Sequence, residues 1–186
     1  MQGPDPAVLL RERLSRRLEE RLSEIDAAGL RRCLRSPAGI DLSSNDYLGL
    51  ARHPLLKQRM AEAVLAEGVG STGSRLLRGE RDAFRDVERR FGSFKGAERC
   101  LYFSSGYLAN LAVLTTFPEA GDVIFSDERN HASLIDGTRL SRARRVIFPH
   151  NDVDALAELL CKGADAGQKF VVVESLFSMD GDEAPL

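Results

Sequence analysis

Apolar residues recur along this chain in two rhythms, and the reading turns on the change between them. In the first rhythm, Leu14, Leu18, Leu22 and Ile25 stand three or four positions apart among arginines and glutamates. That spacing predicts an amphipathic helical arm over about Pro6–Ala28, stopped by Gly29. Its apolar stripe calls for a partner surface, on the same chain or on a second subunit. A turn-rich passage comes next at Arg35-Ser36-Pro37-Ala38-Gly39, and Ile40 to Leu50, with Ser43, Ser44, Asn45 and Asp46, reads as an ordered loop. A second helix is predicted from Pro54, because proline suits a first turn, and it carries Leu56, Met60 and Val64 inward before stopping at Gly68. After a glycine-rich loop, Phe84, Val87 and Phe91 mark one face of a helix over Ala83–Phe91.

From there the second rhythm takes over, with short apolar runs separated by helical stretches. It predicts strand Arg99–Phe103, helix Tyr107–Thr116, strand Asp122–Ser126, helix Ser133–Ser141, strand Arg145–Phe148, helix Val153–Leu160 and strand Lys169–Glu174. Runs such as Val123-Ile124-Phe125 and Phe170-Val171-Val172-Val173 are what a parallel sheet covered on both faces requires. The expected class is α/β, mostly parallel sheet with helices on both faces, preceded by a helical arm. The chain stops at Leu186 just after a strand and a turn, where such a fold next places a helix and a strand. We therefore expect part of a longer protein.

Composition narrows the partners. Of 186 residues, 43% are hydrophobic and 29% charged, so the chain is neither disordered nor fibrous. Its 26 basic residues nearly cancel 28 acidic ones, which leaves no argument for nucleic acid or for an anionic membrane surface. Cys33, Cys100 and Cys161 are scattered, with no C-x-x-C, which fits a reducing compartment rather than a disulfide framework or a zinc site. No signal peptide is expected at the start. The uncharged stretch from Cys100 to Pro118 approaches the length of a membrane span, yet Ser104, Ser105, Gly106, Asn110, Thr115 and Thr116 interrupt it. A strand, a turn and a buried helix account for it, and the expectation is a cytoplasmic protein with no membrane segment.

Three places carry candidate chemistry. Gly68-Val69-Gly70-Ser71-Thr72-Gly73 satisfies G-x-G-x-x-G, but a dinucleotide fingerprint needs a strand before it and a helix opening at it, and here the glycines follow a helix. Ser104-Ser105-Gly106-Tyr107 is better placed. A helix opening near Tyr107 turns its free N–H groups toward one point, where a phosphate binds, and Ser105 reads either as part of that site or simply as the N-cap. His131 follows the strand Asp122–Ser126 at the mouth of the next helix, at the carboxyl edge where functional residues of α/β sheets gather. His53 and His150 read as capping residues, and Glu174 ends the last strand before the polar loop Ser175–Asp182. Three strand ends thus present Ser105 and Gly106, His131, and Ser178 to one side.

Taken together, Ser43–Leu50, Gly70–Arg75, Ser105–Asn110, Asn130–Gly137, His150–Asp152 and Phe177–Asp182 resemble the α-oxoamine synthase family, in order and at the family's spacing, from about Leu30 to Leu186. These are pyridoxal 5'-phosphate enzymes of transferase fold type I. The resemblance implies that residues 1–50 form the arm and ordered loop, and 51–186 the first part of the large cofactor-binding domain. It implies a decarboxylative condensation of L-alanine with a pimeloyl thioester, on acyl carrier protein or coenzyme A, in biotin biosynthesis, by a homodimer. Carried over residue by residue, Gly106 and Tyr107 hold the cofactor phosphate, His131 stacks on its ring and Ser178 hydrogen-bonds to it. Asn45 sits near the substrate carboxylate, and Arg31 or Arg32 reaches the acyl side.

The departures matter as much. The family's Schiff-base lysine, the aspartate that pairs with the ring nitrogen and its neighbouring histidine match nothing in these 186 residues. Lys57, Lys95, Lys162 and Lys169 each lie on a predicted helix or in a loop before a strand. The chain by itself is therefore expected to be inactive. Arg78 stands where relatives carry a small polar residue. Glycine C-acetyltransferase, then 5-aminolevulinate and sphingoid-base synthases, are the alternatives within the family. A non-catalytic module binding phosphate or a partner is the alternative of another class.

Overall fold

The structure, a computed structural model, describes residues 5–36, 38–162 and 167–186. The leading residues and Pro37 of the turn-rich passage lie outside them. The backbone divides into two compact units, one ending at Gly70 and the other running Ser71–Leu186.

The first unit opens with helix α1, Pro6–Ala27, along which Leu14, Leu18 and Leu22 stay exposed. Asp46 organises the loop after it, its carboxylate accepting from the Ala51 N–H as the chain enters a short 3-10 turn at Leu50–Arg52. Helix α2, Pro54–Glu67, begins with proline in its first turn and ends at Gly68, whose φ of 79° few side chains tolerate. His53 holds the N-cap position, but its side chain makes no capping hydrogen bond, which corrects the capping role expected for it.

In the second unit the glycine loop leads not into a nucleotide-binding helix but into a π turn, Arg75–Gly79, closed by the Gly79 N–H on the Ser74 carbonyl at 2.9 Å. Backbone approaches backbone so closely here that a Cβ on Gly79 would fall 1.9 Å from the Gly73 carbonyl oxygen. Arg75 ties the turn down, reaching Glu80 and Glu88 at 2.6 Å each. Helix α3, Asp82–Lys95, then stops at Gly96 in the left-handed region.

The strand expected over residues 99–103 does not form. No described strand stands beside that segment, and the Tyr102 N–H donates instead to the Glu88 carboxylate at 2.8 Å. An apolar run becomes a strand only where a neighbour supplies the other half of the ladder.

The rest of the second unit is built on a three-stranded parallel sheet. Helix α4 spans Gly106–Thr116, strand β1 Val123–Asp127, helix α5 Ala132–Leu140, strand β2 Arg144–Phe148, helix α6 Val153–Lys162 and strand β3 Lys169–Val172. The order is β2-β1-β3, with Val123 level with Arg144 on one side and with Lys169 on the other. The chain leaves β1 for one edge and returns across it to the opposite edge. With right-handed crossovers this puts α5 and α6 on opposite faces. Every residue of β1 is buried as a result. Val123 and Phe125 pack with Phe148 beneath Leu156, Leu159 and Leu160 of α6, while α5 lies on β1 with α4 against it. Among the described residues, no helix is long and apolar enough to cross a membrane.

Helices α4 and α5 meet where Gly137 has no side chain: a Cβ there would lie 2.8 Å from Leu114 Cδ1 and 3.4 Å from the Asn110 carbonyl oxygen. Gly137→Ala is expected to destabilise the chain by about 1–3 kcal/mol through overpacking. Adding Leu114→Ala should cancel part of that loss, so a double-mutant cycle in chemical denaturation should give a favourable coupling. Strict additivity would show that this contact does not set the spacing of the helices.

Candidate functional site

The carboxyl ends of three parallel strands face one way, and the residues just beyond them are polar. After β1, the Asp127 carboxylate, 1% exposed, folds the loop back on itself by accepting from the Arg129 N–H at 2.8 Å. Asn130, also buried, spans from the loop to β3, donating from Nδ2 to the Val172 carbonyl at 2.7 Å and to Ser126 Oγ at 3.0 Å. These bonds fix the position of His131, which is the N-cap of α5. Its Nδ1 accepts from the Ser133 N–H at 3.2 Å and lies 2.8 Å from Ser133 Oγ, while its own N–H donates to the Glu174 carboxylate just beyond β3.

The N-terminus of α4 lies beside His131. The Ser105 hydroxyl caps it by accepting from the Leu108 N–H at 3.2 Å, as expected of an N-cap, and the Ser105 carbonyl takes the Ala109 N–H. The N–H groups of Gly106 and Tyr107 make no hydrogen bond among the described residues. A Cβ on Gly106 would meet nothing within 4 Å. Two free donors, the positive end of a helix dipole and open space above them suit a phosphate. The Tyr107 ring meets the His131 ring edge-on, centroids 6.4 Å apart, and its hydroxyl donates to the Asp136 carboxylate on α5. Asn110 Nδ2, one turn further along α4, donates to Ser133 Oγ at 2.9 Å. Helix packing, rather than a third strand end, therefore brings Gly106 and Tyr107 to this edge.

Ser178 sits exposed in the turn 177–182, which is tied down on both sides. Arg129 pairs with Asp180 at 2.6 Å, and Phe177 is buried with its ring edge-on to His150, centroids 4.5 Å apart. His150 is not a cap; Asp152 takes that role at α6, accepting from the Ala155 N–H at 2.8 Å. The His150 ring instead bridges two carboxylates, Nδ1 to Asp127 at 2.9 Å and Nε2 to Asp182 at 2.7 Å. Asn151 adds its N–H to Asp127 at 3.0 Å and its Nδ2 to Asp182 at 2.9 Å. A carboxylate on each ring nitrogen favours the imidazolium, so His150 keeps its proton above the usual histidine range, Asp127 being the larger cause, and Asp182 loses its proton below the usual carboxylate range. The ligand atoms of His150, Asp180 and Asp182 lie within 4.8 Å of one another; bonds to one another, to Asp127 and to Arg129 engage these side chains, while the buried Asp182 Oδ1 has no hydrogen-bond partner. Sequence reading missed this bridge; the only signal for it was an excess of acidic residues at the ends of β1 and of the last loop.

Arg31, Arg32 and Asn45 belong to the first unit. Arg31 pairs with Asp26 at 2.6 Å, and Arg32 and Asn45 are exposed.

The profile of the family described as "Aminotransferase class I and II" matches residues 37–186. The chain is 50% identical over 186 residues to an 8-amino-7-oxononanoate synthase of Burkholderia pseudomallei, an alignment covering 91% of this chain and 47% of that protein. The chain thus spans about half the length of the curated relatives it matches. Among solved structures it resembles a serine palmitoyltransferase variant from S. paucimobilis with bound PLP–myriocin aldimine, at 34% identity and a TM-score of 0.73, over 76% of this chain and 36% of that one. It also resembles the 8-amino-7-oxononanoate synthase of Francisella tularensis, at 32% identity and a TM-score of 0.65, over 78% and 39%.

The Tyr107–Asp136 bond gives a spectroscopic prediction. A carboxylate acceptor stabilises the neutral phenol, and the hydrogen bond to Asp136 is the main cause holding Tyr107 above its ordinary 10.0. An ultraviolet titration differenced against Tyr107→Phe should place Tyr107 above the ordinary 10.0, and Asp136→Asn should bring it down toward that value. No change in Asp136→Asn would show that the bond does not hold in solution.

Proposed function

The chain belongs to the aminotransferase class I and II family, and on that premise we propose that it supplies the phosphate-binding and ring-facing part of a pyridoxal 5'-phosphate site. The whole site would serve the condensation of L-alanine with a pimeloyl thioester, on acyl carrier protein or coenzyme A, releasing CO2 and giving 8-amino-7-oxononanoate for biotin biosynthesis. The observation that carries this reading is the pair of unbonded N–H groups of Gly106 and Tyr107 beside the fixed His131 ring. The 50% identity to the 8-amino-7-oxononanoate synthase of Burkholderia pseudomallei supports this substrate pair.

When bound, pyridoxal phosphate serves as the electron sink for charge left on the amino acid's α-carbon. This chain's own residues would bind and orient. Gly106 and Tyr107 donate backbone N–H groups to the phosphate, and the open space above Gly106 lets it approach. His131, with Nδ1 engaged at the start of α5 and its backbone N–H on Glu174, offers a ring of fixed orientation to the cofactor ring. Ser178 supplies a hydroxyl to the cofactor. Asn45 and Arg31 or Arg32 serve the substrate's carboxylate and acyl ends. Residues 1–50 are then arm and loop, and 51–186 the first part of the large domain of a cytoplasmic homodimer.

No lysine here takes the covalent role. Lys169 donates to the Leu160 carbonyl at 2.8 Å and Lys162 pairs with Glu158 at 3.1 Å, and neither they nor Lys57 and Lys95 match the family's lysine. The chain alone should therefore bind the cofactor without fixing it and should release no CO2 from carboxyl-labelled alanine with pimeloyl-coenzyme A.

Titrating the chain with pyridoxal phosphate should give saturable binding that inorganic phosphate competes away, and borohydride should trap nothing on the protein. Gly106→Asp keeps a helix-compatible first turn but sets a negative charge where the phosphate sits, and should weaken binding at least tenfold, about 1.4 kcal/mol. Binding that ignores both inorganic phosphate and Gly106→Asp overturns the site, and a borohydride-stable adduct or alanine-dependent CO2 overturns the reading that none of Lys57, Lys95, Lys162 and Lys169 takes the covalent role.

A further inference from the structure

The bridge at His150 has no part in the proposed cofactor contacts, yet it joins the two segments those contacts need. One segment is the end of β1, from which the chain runs to His131. The other is the turn 177–182, which carries Ser178. Between them the ring of His150 gives Nδ1 to Asp127 and Nε2 to Asp182, and its edge-on contact with Phe177 fills the space beneath the turn. Within the turn the backbone bonds are Phe177 N–H to the Asp182 carbonyl at 2.9 Å and Gly181 N–H to the Phe177 carbonyl at 2.8 Å, and its base is closed by the Leu176–Glu183 bridge with Ala184 N–H on the Ser175 carbonyl at 3.2 Å. Gly181 has a φ of 74°, so the loop reverses direction at that point and depends on outside anchors to hold its place. Arg129–Asp180 is one such anchor, but both side chains are about half exposed, and exposed pairs contribute little. The His150 side chain is 12% exposed and its Asp127 partner 0%, which makes it a sheltered anchor, shared at Asp182 with Asn151 Nδ2 at 2.9 Å.

We propose that His150 is a positioning residue, holding the turn 177–182, and Ser178 within it, against the carboxyl end of β1. The cofactor consequence rests on the reading that Ser178 serves the pyridoxal phosphate; the anchoring itself does not. Neutral imidazole has one donor, so it satisfies one carboxylate and faces the other with a lone pair. Loss of the proton therefore releases one end of the bridge. The sign follows from the raised pKa: the anchoring is fully present below histidine's ordinary 6.5 and is lost as pH rises through the higher folded value. On the acid side it is lost as pH falls through the depressed value of Asp182. The charged groups around the ring are Asp127, Glu128 and Arg129 from the end of β1, Asp152 ahead of α6, and Asp180, Asp182 and Glu183 from the turn. Glu128 accepts the His150 N–H at 3.2 Å. Carboxylates outnumber Arg129 here, so their field favours the proton.

The test uses the full 186-residue chain and reads the turn without cofactor. The protection factors of the Phe177 and Gly181 amides, which exclude the intrinsic rise of exchange with pH, should be at least tenfold lower above the His150 titration than below it. The protection factors of the β1–β2 ladder amides should hold steady across the same range. His150→Gln, which keeps one donor, should abolish the pH step, and Asp182→Asn should remove its acid limb. Imidazole nitrogen shifts should report both ring nitrogens protonated beyond the ordinary histidine range. If turn and ladder amides loosen together, or the turn ignores the His150 titration, His150 is a packing residue and the proposal fails. Pyridoxal phosphate should bind at least tenfold more weakly to His150→Gln, while inorganic phosphate, which reads only the α4 terminus, should bind both forms alike. A parent chain that binds no pyridoxal phosphate overturns the functional reading, whereas the anchoring stands or falls on amide exchange alone.

Discussion

A carboxylate taken out of water must be surrounded by donors, and Asp127, buried at the end of the central strand, imposes that condition on everything around it. Three donors meet it. The Arg129 N–H comes from its own loop, the His150 ring from beyond β2, and the Asn151 N–H from the next residue. Asn151 takes a φ of 54° in doing so, a conformation asparagine tolerates better than most side chains. Satisfying one buried charge thus bends the loop that leads to His131 and shapes the turn that leads into α6. Removing the carboxylate would leave three donors without an acceptor in a region where water does not reach.

The same condition governs the other polar groups at this edge. Asn130 commits its amide to β3 and Ser126, Ser133 its hydroxyl to His131 and Asn110, and Ser105 its own to Leu108. Among so many engaged groups, the bare N–H groups of Gly106 and Tyr107 stand out. A helix start with two donors left over and open space above them fits an anion that arrives from outside.

Most of the second unit was legible in the sequence because its signal is local. Short apolar runs and the cap Ser105 need only a few residues to be read, and the helices and three strands fall within a few residues of expectation. The strand at 99–103 was misread because strandness is a property of pairs: the run is apolar, but no described neighbour offers a ladder. The π turn escaped because Gly79 meets Gly73 only after the chain folds back on itself. Within the site, the setting of His131 followed from a strand, a loop and a helix in succession. The role of His150 did not, since Asp127 lies 23 residues before it and Asp182 32 residues after it, and no spacing rule joins them.

The order β2-β1-β3 also has a meaning in time. A chain that emerges from its N-terminus produces β1 first, yet its second neighbour begins only at Lys169. At synthesis rates of about 5–20 residues per second, that delay lasts roughly 2–9 s. Throughout it Val123, Ile124 and Phe125, the most apolar stretch of the finished core, have at best one side covered. The strand that ends fully buried thus begins with its apolar residues uncovered.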